Sequence, residues 1–379
     1  MKIVIAPDSF KGSLSAEAAA QAMAAGVRDV LPEAEIVLKP MADGGEGTVR
    51  TLVAALGGEL RRMRVHSPLL TLVEAEWGWV RNERLAIIES ASASGLHWVE
   101  GLPANATAHS SLGTGELIRA ALNAGARRIV LGLGGTATTD GGKGLLEALG
   151  ARFLDAHGEP VRAGGAGLGD LERIDVSSLD GRVREVDFFV ACDVDNVLCG
   201  PTGAAAVFGP QKGATKQEVD MLDQGLHRFA DRSVAAIGVD HRDTPGAGAA
   251  GGMGFAIMGY LAGRFQSGAE LVGQLIGLEH SMADADLVLT GEGRLDRQSL
   301  SGKTPVGVAR FARKRGIPVF ALGGSLGEGH AELYSAGISA AFSIAPGPID
   351  LAEAIRNSES LLRRLTIDVI RVWNCGRNR

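Results

Sequence analysis

Short apolar runs recur along the chain, each followed by a polar, glycine-rich turn and then a helix-like stretch. Lys2 to Ala6 leads into PDSFKGS and Glu35 to Lys39 into PMADGGEGT. Far downstream, Leu287 to Thr290 leads into GEGRLD, Pro318 to Leu322 into GGSLGEG and Ala341 to Ile344 into APGPID. These runs are too short for helices and too continuous for strands with one wet face, so they predict central strands of a parallel sheet. Ser15 to Val30, alanine-rich with Glu17 early and Arg28 late, predicts a helix. The middle of the chain differs. Leu60 to His66, Leu72 to Val80 and Leu85 to Glu89 are separated by Ser67-Pro68 and Arg81-Asn82, the pattern of an antiparallel meander. A helix around Gly115 to Asn123 and strands at Arg128 to Leu131 and Val186 to Ala191 follow. The expected fold is α/β in two domains. A doubly wound parallel-sheet domain, residues 1–57 and 281–379, is split by an inserted mixed α/β domain, residues 58–280.

Composition narrows the chemistry. Glycine fills 54 of 379 positions, about twice the usual share, while aromatics make up only 4%, which suits loops lined by backbone. The net charge of −6 supplies no broad positive field, so no nucleic-acid partner is expected and any phosphate site must be local. Cys192, Cys199 and Cys375 form no CxxC pair, and Pro7 and Asp8 interrupt the first apolar run before it forms a leader. A cytoplasmic protein is expected. Thr244 to Gly263 lacks charge but carries Pro245 and many glycines, so it predicts a loop running into a buried helix rather than a membrane span.

Several familiar motifs fail on inspection. Gly302-Lys303-Thr304 matches the end of a Walker loop, but Arg297 stands where the first glycine belongs. Gly323-x-Ser325-x-Gly327 lacks a later acid and histidine for a hydrolase triad. Gly132-x-Gly134-x-x-Ala137 with Asp155 fits a dinucleotide fingerprint, which keeps an NAD-dependent oxidoreductase as the rival reading. The histidines form no zinc pair, and most are expected at the surface. What remains is glycine-rich turns, hydroxyls, isolated bases and loop aspartates, the parts that phosphoryl transfer uses.

The segments VIAPDSFKGSLSA, MADGGEGT, ESASASGL, GTGELI, GLGGTATTDGGKG, ACDVDNVLCGPTGAAAVFGPQKGAT, PGAGAAGG and TGEGRLDRQSLSGKTP resemble, in order, the motifs of bacterial glycerate kinases. The resemblance implies a flavodoxin-like domain with an inserted α/β domain, and it implies ATP, magnesium and D-glycerate, with 2-phosphoglycerate as the usual product. A glycerate 3-kinase is the alternative, and a homodimer is compatible. Thr136, Thr139, Lys143 and Thr202 depart from the family's usual residues; Lys143 is expected to be a solvated helix lysine.

With the resemblance in place, roles follow. Lys11, Ser9 and Arg294 are expected to bind substrate, although Ser9 is an equally good cap for the following helix. Gly134, Gly135, Thr136, Thr138 and Asp140 form the expected nucleotide loop. Asp193, Asp296 and Lys11 are the expected catalytic residues, with Asp193 and Asp296 on magnesium. Asp193 and Asp195 would share a face of an extended segment, whereas Arg294 and Asp296 can instead form a local ion pair. Asp43 and Glu46 read equally as helix caps. The motifs come from both domains, so the active site is expected where the two close over the substrates. The last residues, Asn374 to Arg379, are expected to fray.

Overall fold

The computed structural model of the chain describes residues 1–102, 105–300 and 302–377. Ser301, within the last quoted motif, and Asn378 and Arg379 of the expected frayed tail lie outside the described residues. Thirteen strands are present among the described residues: β1 (Lys2–Ile5), β2 (Glu35–Leu38), β3 (Glu59–His66), β4 (Leu72–Val80), β5 (Leu85–Glu89), β6 (Arg128–Gly132), β7 (Arg152–Leu154), β8 (Arg173–Asp175), β9 (Asp187–Ala191), β10 (Arg264–Gln266), β11 (Leu287–Leu295), β12 (Val319–Leu326) and β13 (Ala340–Ser343). The chain clusters into two compact units. One comprises Met1–Asp43, Arg50–Leu56 and Ser267–Arg379, the other Gly44–Val49 and Gly57–Gln266. Residues 267–280, expected with the insert, pack in the first unit because the helix Gly268–Leu275 lies on the helix Thr304–Arg313.

The first unit is a five-stranded sheet in the order β13-β12-β11-β1-β2, parallel at every pairing. Counted within the unit, this is the 2-1-3-4-5 order of flavodoxin-like folds, whose switch point lies between β1 and β11. Ile3, Val4, Ile5, Leu287, Val288 and Leu289 are all fully buried, so both faces of these strands are covered, which explains their uninterrupted hydrophobicity. The helix Ala16–Val30 is capped by Ser15, whose hydroxyl accepts from Ala18 N at 3.1 Å. Ser9 therefore does not cap it.

Two segments are more regular than their glycines suggested. GEGRL and GGSL continue β11 and β12 as paired strand, with Arg294 opposite Ser325. A Cβ at Gly291 would lie 2.1 Å from the Leu322 carbonyl oxygen, and one at Gly324 would lie 2.3 Å from that of Gly293. The glycines here permit close backbone approach within a sheet. At the carboxyl end of the chain, the helix Ser358–Arg377, anchored by core residues Leu362, Val369 and Ile370, includes Asn374 to Arg377, four of the residues expected to fray.

The second unit carries a six-stranded mixed sheet, β10-β9-β6-β5-β4-β3, in which the expected meander β3-β4-β5 is antiparallel and β5, β6, β9 and β10 run parallel. Its core centres on Leu131, Leu146, Phe153, Phe229 and Phe255. β7 does not join this sheet. It pairs antiparallel with β8 in a separate ribbon, and Asp155 is spent on a turn, accepting from His157 N and Glu159 N. The βαβ unit that a dinucleotide fingerprint needs is therefore missing, which removes the structural basis of the NAD reading. Thr244 to Gly263 is a loop running into the buried helix Ala249–Leu261, as expected. That helix opens with three successive left-handed residues, Ala250 (φ 52°), Gly251 (φ 68°) and Gly252 (φ 94°). No helix among the described residues is long and apolar enough to cross a membrane.

Candidate active site

In the first unit, polar side chains gather at the switch point. Asp8 follows β1, its N–H donating to the Gly291 carbonyl at 2.8 Å. Its carboxylate accepts from Ser9 N at 2.6 Å and from the Thr304 hydroxyl. Glu292, inside β11, accepts from the Ser299 hydroxyl. Both acids are only 7% exposed. Burial, reinforced by Asp43, pushes Asp8 up to about 7, against the pull of its hydrogen bonds from Thr304 and Ser9. Burial likewise raises Glu292 to about 7, with Ser299 and Lys303 pulling it down and the charges of Asp43 and Asp296 adding to the rise. The ends of neighbouring strands at a switch point thus hold two carboxyls that exchange protons near neutrality. Sequence reading gave neither acid a role. The available signal was that each directly follows or interrupts a buried apolar strand.

The expected substrate residues surround this pair. Lys11 is exposed and Ser9 is half-buried in the turn after β1. Arg294 Nε lies 3.0 Å from Asp296 Oδ2, so the local ion pair does form, with the guanidinium largely exposed. Asp296 also accepts from Gln298 N at 2.9 Å, which fixes the turn that leaves β11. Glu46 is exposed and caps nothing among the described residues. The amino end of the helix Thr48–Leu56 is served instead by Glu89, whose carboxylate accepts from Val49 N at 2.7 Å.

In the second unit, the loop after β6 is built as a rigid cradle. Gly134 and Gly135 are exposed, whereas Thr136 to Asp140 are buried. The ESASASGL segment clamps it: Ser90 Oγ donates to the Gly132 carbonyl at 2.8 Å, Leu96 N to the Gly135 carbonyl at 2.9 Å, and Ala137 N to the Ser94 carbonyl at 2.9 Å. His109 Nδ1 lies 3.1 Å from the Ala137 carbonyl, and since a carbonyl only accepts, that nitrogen carries the proton. His109 is therefore a buried loop tether, not the surface residue expected. Burial also lowers its pKa, which favours the neutral ring.

Asp140 is fully buried, and its carboxylate accepts from Ser111 N and Oγ, both at 2.8 Å, Gly142 N at 3.0 Å and Gly144 N at 3.2 Å. With its lone pairs spent on the scaffold, it shapes the nucleotide loop from behind. Lys143, expected in solvent, is buried and paired with Glu147 at 2.8 Å, one helical turn on. By contrast, the N–H groups of Gly135, Thr136, Thr138 and Thr139 donate to no acceptor among the described residues. Buried amides are nearly always paired, so the unpaired ones of Thr136, Thr138 and Thr139, behind the exposed Gly135, are donors suited to an anion.

Asp193 is half-buried just past β9, whose Ala191 sits opposite Gly132 of β6. The carboxylate thus belongs to the same sheet end as the loop. Asp195 is exposed, and the segment after Ala191 is irregular rather than an extended face. Lys212, given no role by sequence reading, is buried and donates from Nζ to the Thr138 carbonyl at 2.6 Å. Among the histidines, His227 does join Cys199 and Asp223, their ligand atoms lying within 4.8 Å of one another.

A flavodoxin-like unit with titrating carboxyls at its switch point, accompanied by a unit whose central strand ends in an unpaired amide loop, is an α/β architecture suited to phosphoryl transfer. Comparison with known proteins makes the class specific. The profile of the glycerate kinase family matches residues 3–374, so the chain belongs to the glycerate kinase family and is a kinase. It is 48% identical over 369 residues to the glycerate kinase of Bacillus subtilis (strain 168), covering 97% of each chain. It is 46% identical over 358 residues to the glycerate 2-kinase of Escherichia coli (strain K12), covering 94% of each. The crystal structure described as glycerate kinase 2 from Salmonella typhimurium LT2 superposes with a TM-score of 0.91 at 44% identity, covering 100% of both chains.

Proposed function

We propose that the enzyme transfers the terminal phosphoryl group of ATP to O2 of D-glycerate, giving 2-phosphoglycerate and ADP. The observation that carries this reading is the run of unpaired N–H groups at Gly135, Thr136, Thr138 and Thr139. These donors, on a loop led by Gly134 and Gly135 and buttressed by Asp140, fit phosphate oxygens, as the group requires. ATP bound here would supply the phosphoryl group; Asp193 in the second unit and Asp296 in the first are each a carboxylate that would offer oxygens to magnesium, which would screen the phosphate charge.

The remaining work falls to side chains of the first unit. Lys11 and Arg294, both exposed cations, bind the glycerate carboxylate, and Asp296 holds the Arg294 guanidinium in place. Ser9, beside Asp8, offers a hydroxyl to the substrate. The single proton that the attacking hydroxyl releases passes to the ionised member of the Asp8 and Glu292 pair, and a carboxyl titrating near pH 7 takes it with little energetic mismatch. The relative named as a glycerate 2-kinase supports O2 as the acceptor. In this reading the enzyme works in the cytoplasm on free D-glycerate.

Phosphorus NMR of the product from ATP, magnesium and D-glycerate tests the proposal directly. A 2-phosphoglycerate resonance is expected; 3-phosphoglycerate alone would reassign the hydroxyl, and no phosphorylated glycerate would refute the reading.

A further inference from the structure

Lys212 presents a problem of charge. It is 6% exposed, and among the described residues no carboxylate lies within ion-pairing distance of its ammonium. Burial pulls it down to about 8, so it is still mostly charged at neutral pH, with Asp140 the one acid acting on it appreciably. Asp140 does not serve it directly: it forms no ion pair with Lys212, and its carboxylate is held by four other donors. One ammonium N–H donates to the Thr138 carbonyl and two are left over. A buried cation without a direct partner costs several kcal/mol, so such a lysine calls for an anion that the protein itself does not provide.

A second observation lies on the same loop. The hydroxyls of Thr138 and Thr139 are buried and have no hydrogen-bond partner among the described residues. The loop is held firmly around them. The Gly251 Cα packs so tightly on it that a Cβ there would lie 1.9 Å from the Thr138 carbonyl oxygen, and Gly141 N donates to the Gly251 carbonyl at 3.0 Å. This explains why the chain tolerates the left-handed turn at Ala250 to Gly252, with a non-glycine residue in a costly conformation.

We propose that Lys212, with the hydroxyls of Thr138 and Thr139, forms an anion subsite for a phosphoryl oxygen of the bound nucleoside triphosphate. The inference rests on the nucleotide reading of the loop given above and adds the cation that the reading lacked. The chemistry favours a phosphoryl group over the substrate carboxylate. Two ammonium N–H groups, two hydroxyls and the neighbouring amides are more donors than two carboxylate oxygens use, whereas a phosphoryl group offers three oxygens.

Equilibrium binding of magnesium AMP-PNP and of adenosine to the full-length chain tests this, using wild type, Lys212→Met and Thr139→Val. Each variant should weaken AMP-PNP, Lys212→Met by about 10- to 100-fold, the range for losing a charge-assisted hydrogen bond, while leaving adenosine affinity within about twofold. A folded Lys212→Met that binds AMP-PNP like wild type overturns the subsite. So does equal loss of AMP-PNP and adenosine, which would make Lys212 a loop-positioning residue. If Lys212→Met does not fold, Thr139→Val decides, and unchanged AMP-PNP affinity overturns the proposal. A wild-type chain that binds no AMP-PNP would instead refute the nucleotide reading itself, and the subsite with it.

Discussion

Replacing Asp8 by Asn should stabilise the protein above neutral pH while impairing catalysis. The folded chain holds the Asp8 proton up to about pH 7, whereas an ordinary aspartate releases it near 3.8. Between those values the folded state binds more protons than the unfolded state, so this group's contribution to stability falls as pH rises from about 4 to about 7 and stays low above. At about 1.4 kcal/mol per tenfold change in acidity, the full cost of ionising Asp8 in the folded chain is about 4 kcal/mol. Relaxation and its coupling to Asp43 and Glu292 make the measurable part smaller than this. Asn keeps an acceptor oxygen for Ser9 N, turns the Thr304 hydroxyl from donor to acceptor of its amide N–H, and removes the charge. Urea melts across pH 4.5 to 8.5, read together with amide exchange at β1 and β11, should show the variant gaining on wild type as pH rises and little difference at the acidic end. Glu292 acts with the same sign, so the variant should retain part of the wild-type slope. A difference between the two proteins that does not change with pH would refute the reasoning.

Asp296→Asn should lower kcat steeply, by about 100-fold or more, with the far-UV spectrum unchanged; near wild-type turnover would remove Asp296 from the machinery. Gly135→Val, at φ 71° with a Cβ that would sit 3.6 Å from Ala91, should strain the loop and weaken ATP more than D-glycerate. Equal losses in two titrations would indicate misfolding instead. Asp140→Ala leaves four donors unpaired and should destabilise the protein by about 3 kcal/mol or more, seen as a lowered Tm, whereas the exposed Glu46→Ala should leave Tm unchanged.

Much of the architecture was legible because hydrophobic period and turn chemistry agree. The five parallel strands of the first unit and the meander of the second each follow from runs of apolar residues between polar turns. What escaped was information that sequence does not carry locally. GEGRL looks like a loop because glycine disfavours strands, and only the partner strand reveals that Gly291 and Gly324 admit a backbone rather than a turn. The site divides the same way. Gly134 to Asp140 declared itself through glycine and hydroxyl density, but whether Asp140 faces a ligand or the scaffold depends on Ser111, a residue distant in sequence. Lys212 was unreadable because lysines are ordinarily solvated, and its burial under the Thr138 carbonyl arises from packing across 74 residues of chain.

The pairing of β1 with β11 constrains the order in which the molecule can be made. The Thr290 hydroxyl donates to the Ala6 carbonyl across a separation of 284 residues. Through an unfolded intervening chain, closing such a loop costs about 5 kcal/mol, so the insert gains by folding first and shortening it. At about 5 to 20 residues per second, a ribosome takes roughly 15 to 60 s to deliver β11 after β1 has emerged. Throughout that interval β1 has β2 on one side and an open hydrogen-bonding edge on the other, and a two-stranded sheet is marginal by itself. The amino-terminal strand is thus the segment most in need of chaperone cover during synthesis, and any truncation before Leu287 leaves that edge open permanently.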